Sequence, residues 1–193
     1  MNDINKEQKA IEDYPIPDSA NNCIFFWGPT NDTGKVNQTC FSQWYPSEFQ
    51  ALIKSPTLYT FQNAEQYMMA SKAMLFRDYV AFDKIMLTAD PKEMKKIGRT
   101  IRNFDENKWK EKRFPIVLFA NIRKFISNPD LQEYLIGTGD KYLVEASPYD
   151  KIWGIGKYPA EAAAIRPNQW NGSNLLGLAL MESRKILKEY KLD

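Results

Sequence analysis

Residues 61–76 constrain the fold most strongly, because their apolar members recur at the spacing of one helical face. Asn63 comes just before this run, and its side-chain oxygen can accept a backbone N–H that the first turn leaves without a partner. The positions that would face the core are three or four residues apart: Ala64, Tyr67, Met68, Ser71 and Leu75. The stretch therefore predicts a helix that follows an extended segment and buries one face.

A carboxylate and an amine lie on the neighbouring stripe of this predicted helix. Glu65 and Lys72 are about 10 Å apart along a helix axis, and the long lysine side chain leans back toward the helix start. Apolar and aromatic neighbours could shift the pKa of both groups, as in an active site. The alternative is a solvated charge pair on a surface helix, which is the usual situation of helical charges.

The absence of histidine excludes many kinds of active site. Among the 193 residues there is no histidine and there are two cysteines, so a Ser-His-Asp triad, a Cys-His dyad and a His-based zinc site are ruled out. Proton transfer would have to use Asp, Glu, Lys, Tyr, Cys or water. We therefore predict no metal and no cofactor, with Cys23 and Cys40 as reduced core residues. The net charge of +2 does not indicate a strongly basic surface.

Chain length and the distribution of apolar residues bound the organisation. We expect residues 1–20 to be a flexible N-terminal leader, in which Pro15 and Pro17 end a short helix, and residues 21–193 to form one domain. No apolar run approaches the length of a membrane span, and residues 1–13 lack the apolar region of a signal peptide. These features predict a cytoplasmic protein that does not interact with membranes.

Strand patterns lie toward both ends of the chain and helical patterns lie between them. The predicted strands are residues 23–27, 39–45, 57–61 and 141–146. The predicted helices after residue 76 are 91–102, a pair divided by Pro115 (105–109 and 116–125), 129–137 and a last helix, 174–191, capped by Ser173. This order predicts an α+β fold, a single helix-rich domain with a small β-sheet.

The loop at residues 145–156 concentrates residues that could react or bind. Glu145 and Asp150 could act as acid or base, Trp153 could stack on a flat ring, and Gly154 allows the backbone to approach a ligand closely. The alternative is a tight turn that is anchored by a tryptophan.

A second candidate segment, residues 170–177, joins a glycine loop to a helix start. Free N–H groups and the helix dipole around Ser173 and Asn174 favour an anion such as a phosphate, and the alternative is an ordinary Ser173 cap. Gly177 inside the helix costs about 1 kcal/mol relative to alanine, which indicates close packing. Trp27 and Trp44 could form a wall for a base or belong to the core, and Arg99 could bind phosphate or be solvated.

Seven segments in a fixed order resemble the YbiA-like, or NADAR, family. They are FFWG (25–28), CFSQWYP (40–46), AEQYMMASKA (64–73), IGR (97–99), LVEASPYD (143–150), WGIG (153–156) and WNGSNLLG (170–177). Each segment alone has modest specificity for the family, but the ordered set runs through nearly the whole chain. Many relatives have His where Gln66 stands and Asn where Gln43 stands, so substrate preference does not carry over directly.

The resemblance implies a hydrolase that cleaves N-glycosidic bonds. Two substrate classes are associated with the family: ADP-ribose attached to guanine in DNA, and phosphorylated ribosylamino-pyrimidine intermediates of riboflavin synthesis. In both, C1 of a ribose is linked to an exocyclic amine of a base. A third interpretation, of another class, is a non-catalytic module that binds ADP-ribose or a nucleotide.

The resemblance also assigns residues and partners. Lys72, Glu65 and Asp150 would be catalytic, with Lys72 as the nucleophile. The implied substrate-binding residues are Trp27, Gly28, Trp44, Tyr67, Arg99, Glu145, Trp153, Gly154, Ser173 and Asn174. The expected partner is ADP-ribosylated nucleic acid or a nucleotide-like small molecule, with a DNA ADP-ribosyltransferase as a functional counterpart.

Overall fold

The computed structural model describes residues 6–54 and 56–190. Its contacts divide the chain into a central unit, residues 43–129, and a terminal unit, formed by residues before 43 and after 129. In chain order the elements are α1 (Lys6–Asp13), β1 (Cys23–Phe26), β2 (Phe49–Lys54), β3 (Thr57–Phe61), α2 (Ala64–Leu75), α3 (Tyr79–Leu87), α4 (Pro91–Arg99), α5 (Glu106–Ser127), α6 (Pro129–Gly137), β4 (Tyr142–Glu145), α7 (Pro159–Ala164) and α8 (Leu175–Tyr190). Residues 1–5 of the predicted leader and residue 191 of the predicted last helix lie outside the described residues.

Helix α2 is the centre of the central unit, as its sequence predicts. Asn63 caps it by accepting the N–H of Gln66 at 2.9 Å. Nine of its twelve residues are buried, because it packs against α3, α4 and α5. The Gln66 amide donates to the carbonyls of Ile85 and Thr88 and so ties α2 to the end of α3.

The central unit also contains an antiparallel hairpin of β2 and β3. Strand β3 was predicted at its observed position, and β2 was missed. Burial along β2 has the two-residue period of a strand, since Phe49 and Ala51 are buried while Gln50 and Leu52 are exposed. The apolar Leu52 at an exposed position obscured this period in the sequence.

The terminal unit pairs β1 with β4 in parallel, from Cys23 opposite Tyr142 to Phe26 opposite Glu145. Both strands were predicted. Helix α8 packs directly on β4, and a Cβ added to Gly177 would lie 2.1 Å from the Leu143 carbonyl oxygen. The close packing that Gly177 indicated is therefore confirmed.

The prediction of a strand at residues 39–45 is wrong. A short 3₁₀ helix, Gln38–Phe41, begins this segment, with Asn37 as its cap. The Asn37 carboxamide oxygen accepts both the N–H and the hydroxyl of Thr39, which offers the backbone a local alternative to a strand ladder. Cys40 and Phe41 are both fully buried, whereas a half-buried strand would alternate.

The predicted break at Pro115 is also wrong, because α5 continues through it as one helix. Proline in a helix interior costs about 3 kcal/mol, since it removes a backbone hydrogen bond. Trp109 and Phe114 before it, and Val117 and Leu118 after it, are all buried. Each such side chain contributes about 1.5–3 kcal/mol when it is fully buried, so together they outweigh the cost of the proline.

Three further boundaries differ from prediction. Helix α4 has the predicted Asp90 cap but ends at Arg99, three residues early. Helix α8 begins at Leu175, immediately after Asn174 in the left-handed conformation (φ 52°), so Ser173 is not the residue that precedes it. The short helices α3 and α7 were not predicted individually.

The predicted fold class is confirmed: the chain is α+β and helix-rich. Within the described residues the strands form two separate two-stranded sheets instead of one. None of the helices in this part of the chain has the length and apolar character needed to cross a membrane.

Candidate active site

The Lys72 amine is the candidate nucleophile of the central unit, and its contacts are well defined. Its nitrogen donates to the Gly98 carbonyl oxygen at 2.8 Å, and it lies 4.3 Å from the centroid of the Phe104 ring and 5.3 Å from that of Trp109. The side chain is half-buried. The amine is thus fixed by one backbone acceptor and two aromatic faces.

The packing of α4 on α2 brings the carbonyl to the amine. A Cβ added to Gly98 would lie 2.1 Å from the Met69 sulfur, so a larger residue could be accommodated only if Met69 or the backbone shifted. Glycine at this position therefore allows α4 to approach α2 closely.

Burial lowers the pKa of the Lys72 amine below that of an ordinary lysine, because desolvation disfavours the charged form. Two carboxylates oppose this change by favouring the ammonium, Glu106 more strongly than Glu65. A lowered pKa increases the neutral fraction of the amine, which is the nucleophilic form.

Glu65 lies in the first turn of α2 and is 3% exposed. Its backbone N–H donates to the Gln43 carbonyl, which ties the helix start to the preceding segment. Its charge acts on Lys72, so the sequence prediction that a carboxylate influences this amine holds for the electrostatics.

Sequence reasoning missed Glu106, the stronger electrostatic neighbour of Lys72. It occupies the first turn of α5, where the Asp105 cap begins the helix. No helical spacing could connect it to Lys72, because the two residues belong to different helices. The Asp105 cap predicted the helix start, but which group faces it depends on tertiary packing.

Tyr67 lies on a different face of α2 from Lys72. With Ser71 and Phe119 it lines an open groove of about 440 Å³ in the central unit, where its ring centroid is 5.7 Å from that of Phe119. Its hydroxyl donates to the Leu52 carbonyl, and burial raises its pKa. Lys72 does not line this groove. Arg99 is exposed at the end of α4, next to Gly98, and Trp44 is half-buried before β2.

In the terminal unit, Asp150 shapes its own loop. One carboxylate oxygen accepts the N–H groups of Ile152 at 3.0 Å and Trp153 at 2.9 Å. A Cβ on Gly154 would lie 2.8 Å from the carbonyl oxygen of Glu145, so the loop folds back tightly on β4. The alternative of a tight turn is confirmed, whereas the acid, base and stacking roles suggested for this loop stay predictions.

Four N–H groups at the start of α8 already have backbone acceptors. Those of Ser173, Asn174, Leu175 and Leu176 donate to the carbonyls of residues 151, 154, 152 and 153 respectively. The Asn174 side chain bridges the carbonyl of Leu143 and the N–H of Glu145. The prediction of a phosphate site here depended on unoccupied donors at Ser173 and Asn174, and both donors have backbone acceptors, so we leave both residues out of the proposed site.

The remaining predicted residues of the terminal unit lie near the same loop. Glu145 is buried at the end of β4, and Trp153 is half-buried. Trp27 is 43% exposed, and the following Gly28 adopts the left-handed conformation (φ 76°). Gly28 therefore has a turn-forming role.

A helix-rich α+β fold that carries a lysine amine of lowered pKa has the character of an enzyme with an amine nucleophile. The chain belongs to the NADAR domain family, whose model matches residues 25–188. The resemblance inferred from the seven sequence segments is confirmed.

Individual relatives refine this assignment. The chain is 44% identical to N-glycosidase R617 of Acanthamoeba polyphaga mimivirus over 84% of its own length and 94% of that protein's. It is 32% identical to N-glycosidase Npun_R5314 of Nostoc punctiforme over 64% and 72%. The predicted class, a hydrolase of N-glycosyl bonds, is confirmed at that level.

More distant relatives carry other names. A chloroplastic riboflavin biosynthesis protein, PYRR, of Zea mays is 30% identical, over 75% of this chain and 22% of that protein. The solution structure of E. coli YbiA has the same fold, with a TM-score of 0.68 and 24% identity over 91% of this chain and 89% of YbiA.

Proposed function

We propose that this protein hydrolyses the bond between ribose C1 and an exocyclic amine of a base, and that its preferred substrate is ADP-ribose attached to guanine in DNA. The observation that carries the proposal is the Lys72 amine. Burial lowers its pKa, and Gly98, Phe104 and Trp109 fix its position.

The proposed chemistry uses Lys72 as a covalent nucleophile. The ribosyl aminal opens as the bond between C1 and the ring oxygen breaks, the oxygen takes a proton, and C1 becomes an imine of the base's amine. The neutral Lys72 amine adds to C1, and the base's amine takes a proton and leaves, so that a Schiff base links Lys72 to the sugar. Water then adds to C1, the lysine amine is released, and the sugar closes to free ADP-ribose.

Carboxylates would move the protons in these steps. Glu65 is the proposed proton carrier, because it is buried on the same helix and its charge acts on Lys72. Glu106 is the proposed regulator of the amine's pKa. In the central unit, Trp44 and Arg99 are the proposed contacts of a base and of phosphates. In the terminal unit, Asp150 would position its loop for a sugar, and Trp153 would stack on a base.

A non-covalent route is the alternative mechanism. A carboxylate would activate water against an oxocarbenium-like C1, as in glycosidases, and Lys72 would only stabilise charge. Borohydride reduction during turnover separates the two routes. A stable sugar adduct on Lys72, located by peptide mass spectrometry, supports the Schiff base, whereas an active enzyme that yields no adduct overturns it.

The second candidate substrate is a phosphorylated ribosylamino-pyrimidine of riboflavin synthesis. The relatives named for that pathway support it, although the chain spans only 22% and 39% of two of them. The near full-length match to an N-glycosidase at 44% identity supports the class of reaction, which both candidate substrates share. The deciding assay compares kcat/KM for release from ADP-ribosylated DNA with that for the free pyrimidine intermediate.

A non-catalytic binding module makes a different prediction. It requires that Lys72→Ala and Glu65→Ala retain affinity for ADP-ribose and that the unaltered protein shows no turnover. The hydrolase proposal requires turnover that collapses in both variants.

If the substrate is ADP-ribosylated DNA, a DNA ADP-ribosyltransferase is the proposed source of the adduct.

A further inference from the structure

Three large aromatic side chains contact one another on the exposed surface of the terminal unit. Trp27 follows β1, Tyr149 lies in the loop after β4, and Tyr158 immediately precedes α7. The Trp27 ring centroid is 5.4 Å from that of Tyr158 and 6.2 Å from that of Tyr149. The exposed fractions are 43%, 80% and 44% for Trp27, Tyr149 and Tyr158, so the cluster presents its rings to solvent.

The cluster is held in place before any ligand binds. The hydroxyls of Tyr149 and Tyr158 share a hydrogen bond of 2.9 Å, which raises the pKa of Tyr158. The Ala146 N–H donates to the Phe26 carbonyl at 2.8 Å, which joins the two segments that carry Trp27 and Tyr149. Such pre-organisation reduces the entropy lost when a flat ligand stacks on the rings.

Exposed aromatic rings in contact need an explanation beyond folding. An isolated exposed apolar residue is ordinary, but a contiguous exposed apolar patch usually marks a binding surface. Aromatic faces in such a patch stack on nucleobases, each contact being worth about 1–3 kcal/mol.

One neighbouring charge can pair with a phosphate of a ligand that also carries bases. Lys151, two residues after Tyr149, is exposed. Lys157, next to Tyr158, already pairs with Glu161, and one oxygen of Asp150 accepts two N–H groups of its own loop. A site for an organic cation would instead place unpaired carboxylates beside the rings.

We propose that Trp27, Tyr149 and Tyr158 form a stacking platform for an unpaired nucleobase of a single-stranded nucleic acid. Tyr149 is adjacent to Asp150, so the platform would hold the base next to the nucleotide presented to the candidate loop. This inference rests on the proposed function for the identity of the strand, but stacking on an unmodified strand does not require Lys72 chemistry.

The test measures binding of an unmodified, fluorescently labelled single-stranded DNA of about ten nucleotides, a length within the usual site sizes. The double variant Trp27→Ala/Tyr149→Ala should weaken binding about tenfold to a hundredfold. Trp27→Phe and Tyr158→Phe should retain most of the affinity, because they keep a ring. Tyr190→Ala, which removes a tyrosine that is 77% exposed in the same unit, is the matched control and should bind like the unaltered protein.

Two further binding measurements distinguish a nucleic-acid strand from a free nucleotide as the ligand, and they keep the test independent of catalysis. Lys72→Met should bind the unmodified strand normally, so lost turnover with retained binding separates a failure of the proposed function from a failure of the platform. Tight binding of free ADP that the double variant abolishes, without binding of the strand, would overturn the proposal in favour of a free nucleotide. Unchanged strand affinity in the double variant, with an unchanged melting temperature, would overturn the platform itself.

Discussion

Lys72 in the central unit and Asp150 in the terminal unit both stand in motifs that predict catalysis, yet their surroundings differ. The Lys72 amine meets one carbonyl and two aromatic rings, and burial lowers its pKa. One Asp150 oxygen accepts two N–H groups of its own loop. The first arrangement alters the proton affinity of an amine, whereas the second shapes a backbone. The chemical type of a residue does not separate these roles, but its bonding partners do.

The proposed difference between Lys72 and Asp150 is tested most directly by removing the Lys72 amine. Lys72→Met should lower kcat/KM by about 10³-fold or more, because an unbranched apolar side chain keeps the packing but cannot attack C1. Lys72→Arg should lose as much activity, since a guanidinium keeps the charge without the nucleophile. Lys92→Met, at an exposed lysine of α4, is the control. Substantial activity in Lys72→Arg would mean that charge alone suffices.

The role of Asp150 can be sharpened with two substitutions. Asn keeps an oxygen that can accept both loop N–H groups, so Asp150→Asn should lose less than about tenfold in kcat/KM. Asp150→Ala removes the acceptor, and the misplaced loop should cost about 10²-fold. Equal losses in the two variants, at equal melting temperatures, would show that the negative charge takes part in the chemistry.

The approach of α4 to Lys72 gives a smaller effect. Gly98→Ala should destabilise the protein by about 1–3 kcal/mol, because its Cβ would overlap Met69, and should lower kcat/KM about tenfold as the Gly98 carbonyl moves. Adding Met69→Ala should restore part of the activity. Gly137→Ala, whose Cβ would have no neighbour within 4 Å, is the control. Denaturant unfolding and steady-state kinetics measure both effects.

The smallest expected change is a shift along the pH axis. Activity should rise with pH as Lys72 loses its proton, through a pKa below that of an ordinary lysine. The charge of Glu106 raises that pKa, so Glu106→Gln should move the rise to lower pH, while Glu111→Gln on the same helix should not. A shift to higher pH in the pH profile of kcat/KM would contradict this assignment.

Local signals made much of the fold predictable. The Asn63 cap, the apolar periodicity of α2 and the Asp90 and Asp105 caps operate within a few residues. Pro115 shows the limit of such rules, because burial on both sides of it outweighs its local penalty. Asn37 and Asp150 show another limit, since a short polar side chain can bond its own backbone where aromatic neighbours suggest a strand or a catalytic loop.

The candidate site was predictable in its residue types and not in its contacts. Glu65 and Lys72 share a helix, so their spacing was readable from sequence. The Gly98 carbonyl and the Glu106 charge reach Lys72 only because other helices pack against α2. The occupied donors at the start of α8 were hidden for the same reason, because their acceptors lie some twenty residues earlier in the chain.

Those backbone bonds from residues 173–176 to the carbonyls of residues 151–154 have a dynamic consequence. The loop serves as the cap of the helix, so fraying of one must release the other, and their amide protons should exchange with solvent as a single cooperative event. A molecule that binds Trp153 or Gly154 would accordingly slow amide hydrogen exchange in the first turn of α8 without contacting that helix.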